Sequence, residues 1–164
     1  MLRVVILGNS GSGKSTLAHA LARESSLPHL DLDTLAWDPV NPTTRRRLDE
    51  SLAGIAAFVD AHQSWVVEGC YADLLASAAE HCTRLIFLNP GIEACVDNCL
   101  SRPWEPHKYP SLEAQNGNLE MLLSWVRDCE TRQDEFSLQA HRRLFGDFGG
   151  DKVEFTSRPT IREL

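Results

Sequence analysis

Leu2, Val4, Val5, Ile6 and Leu7 form an apolar run broken only by Arg3, and a continuous run of this kind reads as a strand buried on both faces. From Thr16 to Glu24 the period changes: Leu17, Ala18, Leu21 and Ala22 fall at helical spacing, so a helix packs back on that strand. The same alternation continues along the chain. His29–Asp33 reads as a short second strand ending in carboxylates. Thr43 or Thr44 is expected to cap a helix running to about His62, with Leu48, Leu52, Ile55, Phe58 and Val59 as its stripe. Ser64–Gly69 reads as a third strand, Tyr71–Glu80 as a short helix, and Arg84–Leu88 as a fourth strand stopped by Asn89-Pro90-Gly91. Ile92, Cys95, Val96, Cys99 and Leu100 recur at i, i+3, i+4, i+7 and i+8. Asn118 is the expected cap of a long helix carrying Leu119, Leu122, Leu123, Val126 and Cys129 and reaching Phe145. Lys152–Thr156 is the fifth strand. Two stretches lack periodicity, Thr34–Pro42 and Ser101–Gly117, the second holding Arg102, His107 and Lys108; His107 is given no catalytic role.

Strands that alternate with helices predict an α/β fold: a five-stranded parallel sheet between two helical layers, joined by right-handed crossovers. Ligands in such sheets gather at the carboxyl ends of the strands. Gly8–Ser15, Asp31 and Asp33, Glu68, Asn89 and Thr156 all fall at those ends.

The first strand runs into Gly8-Asn9-Ser10-Gly11-Ser12-Gly13-Lys14-Ser15, which fits G-x-x-x-x-G-K-[ST] in its required strand–turn–helix context. Glycines at both ends let the backbone curl so that successive N–H groups point at a polyphosphate, and the following helix N-terminus adds partial positive charge. Lys14 is placed for β- and γ-phosphate oxygens and the Ser15 hydroxyl for Mg²⁺. The nucleotide-binding set is therefore Gly8, Ser10, Gly11, Ser12, Gly13, Lys14, Ser15 and Thr16, and the cofactors expected are ATP and Mg²⁺.

Carboxylates beside such a loop bind the metal or take a proton from an attacking hydroxyl. If the second strand continues, alternation puts Asp31 and Asp33 on one side. Glu68 closes a buried strand, the shape of a second metal-binding position, which gives Ser15, Asp31 and Glu68 as metal candidates. The bland reading of each acid is a solvated strand end or turn cap. Arginines stabilise charge on the transferring phosphoryl group, and Arg102, Arg127 and Arg132 follow the fourth strand in a segment able to close over it. Of Arg45, Arg46 and Arg47, at most one or two are expected to face the site. Trp37, Tyr71 and Trp104 flank these positions as walls or as ordinary packing.

The length of 164 residues suits one domain spanning 1–164. A net charge of −7 argues against non-specific nucleic-acid binding. The five cysteines, an odd number without C-x-x-C, read as reduced, mostly buried thiols, and Cys95 and Cys99 as helix packing rather than a metal grip. No run approaches membrane-spanning length and the first strand begins at once, so a cytoplasmic protein is expected, a monomer or homodimer.

GNSGSGKST, HLDLDTLAW, WVVEGCY, RLIFLNP and the arginine-bearing segment from Arg102 together resemble the small phosphate-loop kinases of the adenylate kinase/shikimate kinase type. Within that group the chain looks most like the bacterial FlaR-like proteins, also known as DNA topology modulation proteins. The resemblance implies the P-loop NTPase fold with strand order 2-3-1-4-5, a substrate-binding insert at about 34–63 and a lid at about 102–132. It matches Asp31 and Asp33 to a D-x-D pair, the first serving the metal and the second the acceptor hydroxyl. Arg102 matches a lid arginine, and Thr156–Pro159, with Arg158, the adenine-side loop. The third strand lacks the triple glycine of shikimate kinases, and no nucleoside-monophosphate motif follows the second.

The function expected is transfer of the γ-phosphate of Mg·ATP to a small-molecule hydroxyl or phosphate acceptor, with Lys14, Asp33, Arg102 and Arg132 as catalytic residues. The alternatives are an ATP-dependent regulatory or binding module and an ATPase using water.

Overall fold

β1 (Arg3–Gly8) forms the centre of the sheet in the computed structural model, which describes every residue except Pro42, His107 and Lys108. The expectations that touched those three residues lie outside the described part. β2 (His29–Asp31), β3 (Trp65–Gly69), β4 (Arg84–Leu88) and β5 (Asp151–Phe155) complete a five-stranded parallel sheet in the order 2-3-1-4-5. The apolar runs explain the arrangement, because a strand buried on both faces has no polar side to show to water. Val5, Leu7, Trp65, Val67, Leu85 and Phe87 point into one layer, against α3 (Leu48–Ala61), α4 (Ala72–Ala79) and α8 (Leu138–Asp147). Val4, Ile6, Val66, Ile86 and Leu88 point into the other, against Leu17 and Leu21 of α1 (Lys14–Ser25). A third cluster joins α5 (Ile92–Leu100) to Val126 of α7 (Leu119–Arg127) through Cys95, Val96 and Cys99.

Register brings the chemistry to one edge. Asp31 pairs with Glu68, Glu68 with Ile6, and Gly69 with Leu7, so the ends of β2 and β3 and the turn after β1 are adjacent.

Four sequence expectations need correction. β2 stops at Asp31, so Asp31 and Asp33 are not alternate residues of one strand; Asp31 Oδ1 instead accepts the Asp33 N–H at 2.9 Å and turns the chain into the short α2 (Asp33–Ala36). The helix expected from Thr43 begins at Leu48. Before it, Trp37 bridges Arg45 and the Arg46 N–H bonds to Ala36 O, which draws the two ends of this stretch together. The long helix from Asn118 to Phe145 is two helices. α7 ends in a 3-10 turn over Asp128–Glu130; Asp134 then accepts from Arg132 and from the Phe136 N–H, and Ser137 caps α8 through the Ala140 N–H, so a new helix starts there. The aperiodic stretch before it contains α6 (Leu112–Gly117), capped by Ser111. Among the described residues no helix is long and apolar enough to cross a membrane.

Candidate active site

The phosphate loop is shaped by its glycines and by what surrounds them. A Cβ on Gly8 would stand 2.4 Å from Leu88 O, because the neighbouring strand passes that close. Gly11 holds φ +78°, and a Cβ there would meet Cys95 O at 2.4 Å and Cys99 Sγ at 2.8 Å. Gly13, at φ 94°, leads into α1 with no side-chain cap, which leaves the first N–H groups of the helix facing the loop. Two amides stitch the loop to the segment beyond β4: Asn9 Nδ2 donates to Val126 O at 3.0 Å and Asn98 Nδ2 to Gly11 O at 2.8 Å. Lys14 is buried, and its ammonium donates to Asn9 O at 2.9 Å.

Glu68 is 2% exposed at the end of β3. Burial opposes its ionisation, but His29, the charge of Lys14 and the Ser15 hydroxyl outweigh it, against a smaller opposing push from Asp33, and the carboxyl is held below its ordinary range. Its Oε1 faces His29 Nε2 at 3.8 Å, too far for a hydrogen bond, and both atoms are buried without a hydrogen-bond partner. The buried Ser12 hydroxyl within the loop is in the same condition. Buried polar atoms without partners are rare, and these lie where phosphate oxygens and a cation would complete them. Among the described residues no three His, Cys, Asp or Glu side chains form a ready metal cluster. A cation here would take Ser15, one or two carboxylates and phosphate oxygens, the donor set that suits Mg²⁺. The loop and its acids therefore fit Mg·ATP.

Beyond Glu68 the edge becomes aromatic. The Tyr71 hydroxyl donates to Asp33 Oδ1 at 2.6 Å and accepts the Trp37 indole N–H at 2.7 Å. Tyr71 is almost fully buried, and burial, with the charges of Cys70 and Asp33, pushes its ionisation far above the ordinary range. Arg45 lies over Tyr71 at 5.0 Å, Phe136 at 5.2 Å and Trp37 at 5.9 Å, and pairs with Glu135 at 2.8 Å and Asp73 at 3.2 Å. Arg132 stacks 3.7 Å from the Trp125 ring and holds Asp134 through two bonds of 2.7 Å, while Trp125 and Tyr71 both meet Phe136 edge-on.

Of the expected residues, the structure brings together Gly8–Thr16, Asp31, Asp33, Glu68, Trp37 and Tyr71. Of the arginine triplet, Arg45 faces the site; Arg47 is exposed and paired with Asp49 at 2.7 Å, because α3 begins after it and points it outward. Leu32 and Tyr71 cross Gly69, where a Cβ would meet them at 3.0 and 3.1 Å. Arg102 pairs with Glu105 at 3.2 Å, and Arg127 and Arg158 are exposed. Trp104 lies away from the aromatic wall and donates to Tyr109 O at 3.1 Å. Sequence reasoning missed Phe136, Trp125, Glu135 and Asp73. Nothing in their spacing announces them, since Arg45 meets Glu135 across 90 positions.

No family model matches the sequence, and no curated protein matches it significantly. Solved structures do. A gluconokinase from Sinorhizobium meliloti 1021 is 21% identical, with a TM-score of 0.53 over 96% of this chain and 84% of that one. A sugar kinase from Janibacter sp. HTCC2649 is 18% identical, with a TM-score of 0.52 over 94% of this chain and 85% of that one. A shikimate kinase from Acinetobacter baumannii, solved with shikimate, is 17% identical over 88% of this chain and 92% of that one, at a TM-score of 0.46. The likeness establishes the fold: a five-stranded all-parallel sheet in the order 2-3-1-4-5 with helices on both faces, the P-loop NTPase fold.

Proposed function

We propose that this protein is a phosphotransferase that moves the γ-phosphate of ATP to a hydroxyl of a small molecule. The observation that carries the reading is the meeting of two sites at Glu68: the phosphate loop on one side, and on the other Asp33, oriented by Tyr71 and Trp37. The loop N–H groups and Lys14 hold the phosphates. Ser15 with Glu68 and Asp31 holds Mg²⁺, which when bound neutralises charge on the phosphate oxygens. Asp33 takes the proton as the acceptor oxygen bonds to phosphorus and the bond to the ADP oxygen breaks. In this reading residues 34–63 form the acceptor wall and residues 102–132 a lid. Closure exchanges Glu105 for phosphate at Arg102 and brings Arg127 inward, Arg158 lies beside the base, and Arg132 braces the wall through Trp125. The gluconokinase and sugar kinase neighbours support a hydroxyl acceptor, and the HLD and W-V-V-E-G-C-Y segments support the finer kinship with FlaR-like proteins.

ADP release by the full chain with Mg·ATP, measured across nucleosides, nucleoside monophosphates and polyols, tests the reading. Stimulation by an acceptor, lost in Lys14→Ala and Asp33→Asn, is the expected result. Acceptor-independent release would make the protein an ATPase, and tight ATP binding without release a nucleotide-controlled binding module.

A further inference from the structure

Resting on that reading, we infer that the acceptor is a polyhydroxy compound without a carboxylate or phosphate, neutral or amino-substituted. The inference comes from how the arginines beside Asp33 are used. Recognition of an acidic acceptor needs a guanidinium with free donors on the site face. Arg45 and Arg132, the two that pack on Phe136, already carry carboxylate partners. Arg45 is held by Asp73 and Glu135 and flanked by three rings, and its remaining Nε donor is buried and so closed to a ligand. Arg132 is taken by both oxygens of Asp134 and by the face of Trp125.

These acids are part of the fold rather than mobile surface groups. Asp73 Oδ1 also accepts the Leu74 N–H at the first turn of α4, Glu135 is anchored by the Ala72 N–H bond to its carbonyl, and Asp134 also accepts the Phe136 N–H. An anionic acceptor would have to displace one of them and leave a carboxylate unpaired in a site that already holds Asp33. The side chains of Asp73 and Glu135 remain 30% and 33% exposed, so their outer oxygens are open to donors from a ligand. Such a surface accepts hydrogen bonds from hydroxyl and ammonium groups and repels acids.

Two measurements on the full chain test this. The first is calorimetric binding in the presence of Mg·ADP, and the second is ADP release with Mg·ATP. The probes are glucitol, myo-inositol and glucosamine against gluconate, glucuronate and shikimate. At least tenfold tighter binding, and tenfold higher kcat/KM, for members of the first set is the expected result. Preference for any acid overturns the inference, as does binding by neither set. Binding of the first set without ADP release would uphold it and sink the phosphotransferase reading. The paired substitution Asp73→Asn with Glu135→Gln releases Arg45 and is expected to move the preference tenfold or more toward acids; an unmoved preference overturns the inference. If that variant does not fold, Asp134→Asn, which releases Arg132, carries the same test.

Discussion

Tyr71 donates its hydroxyl hydrogen to Asp33 across 2.6 Å while taking the indole N–H of Trp37 on the same oxygen. One carboxylate is thereby aimed by a residue 38 positions away, on the far side of a strand. Tyr71→Phe leaves an indole N–H and a carboxylate oxygen without their partner. A loss of about 1–3 kcal/mol in urea unfolding is expected, with kcat lower by about tenfold and nucleotide affinity unchanged. A fall in nucleotide affinity of the same size would show that Tyr71 serves the loop instead.

Asp33→Asn and Lys14→Ala separate the two halves of the site. The first keeps the shape and removes the proposed base, so kcat is expected to fall by about 10²–10⁴ with ATP still bound. The second removes a cation aimed at phosphate, with kcat expected to fall by about 10²–10³ and nucleotide binding to weaken with it. Single-turnover kinetics with equilibrium nucleotide binding distinguishes the patterns.

His141 gives the fold a pH dependence of known sign. Its ring is fully buried, Nε2 bonds Cys70 O at 2.8 Å as donor, and Nδ1 has no partner. Burial, reinforced by Lys14 and only partly offset by the Cys70 bond, pushes it down to about 4 from 6.5. Between those values the unfolded chain binds the proton and the folded chain does not, so stability falls as pH drops from 6.5 toward 4. A loss of roughly 3 kcal/mol is expected across that window. Urea midpoints at pH 7 and pH 5 should show it, and His141→Phe should flatten it.

Gly11→Ala tests the seat of the loop on α5. The added methyl would meet Cys95 O and Cys99 Sγ within 3 Å in a left-handed conformation. A loss of about 1–3 kcal/mol is expected, together with weakened nucleotide binding. Unchanged melting and affinity would mean that α5 yields freely.

The sheet and the phosphate loop were legible because their signals are local: apolar runs bounded by glycine and proline, and a motif whose spacing is its mechanism. Glu68 was legible for the same reason, as the acid ending a buried strand. The alternation expected of Asp31 and Asp33 failed because an Asx turn at Asp31 ended the strand before it could apply. The Asn118–Phe145 helix failed because it tightens to a 3-10 turn after Arg127, and Asp134 and Ser137 then turn the chain into a new helix through the Phe136 and Ala140 N–H groups. The choice of Arg45 over Arg47 was not readable, because it depends on Phe136 and Glu135 arriving from a distant turn.

The partner of Lys14 is a neutral carbonyl, and among the described residues the ammonium forms no ion pair. Its charge is offset only at longer range, by the Glu68 carboxylate. When a polyphosphate arrives, one hydrogen bond is exchanged for another, so the count is unchanged and the gain is almost wholly Coulombic. Discrimination at the loop then depends on ligand charge more than on ligand shape. Added salt would weaken capture of a triphosphate more than capture of a neutral acceptor of the kind inferred above, and the order of loading would then change with ionic strength.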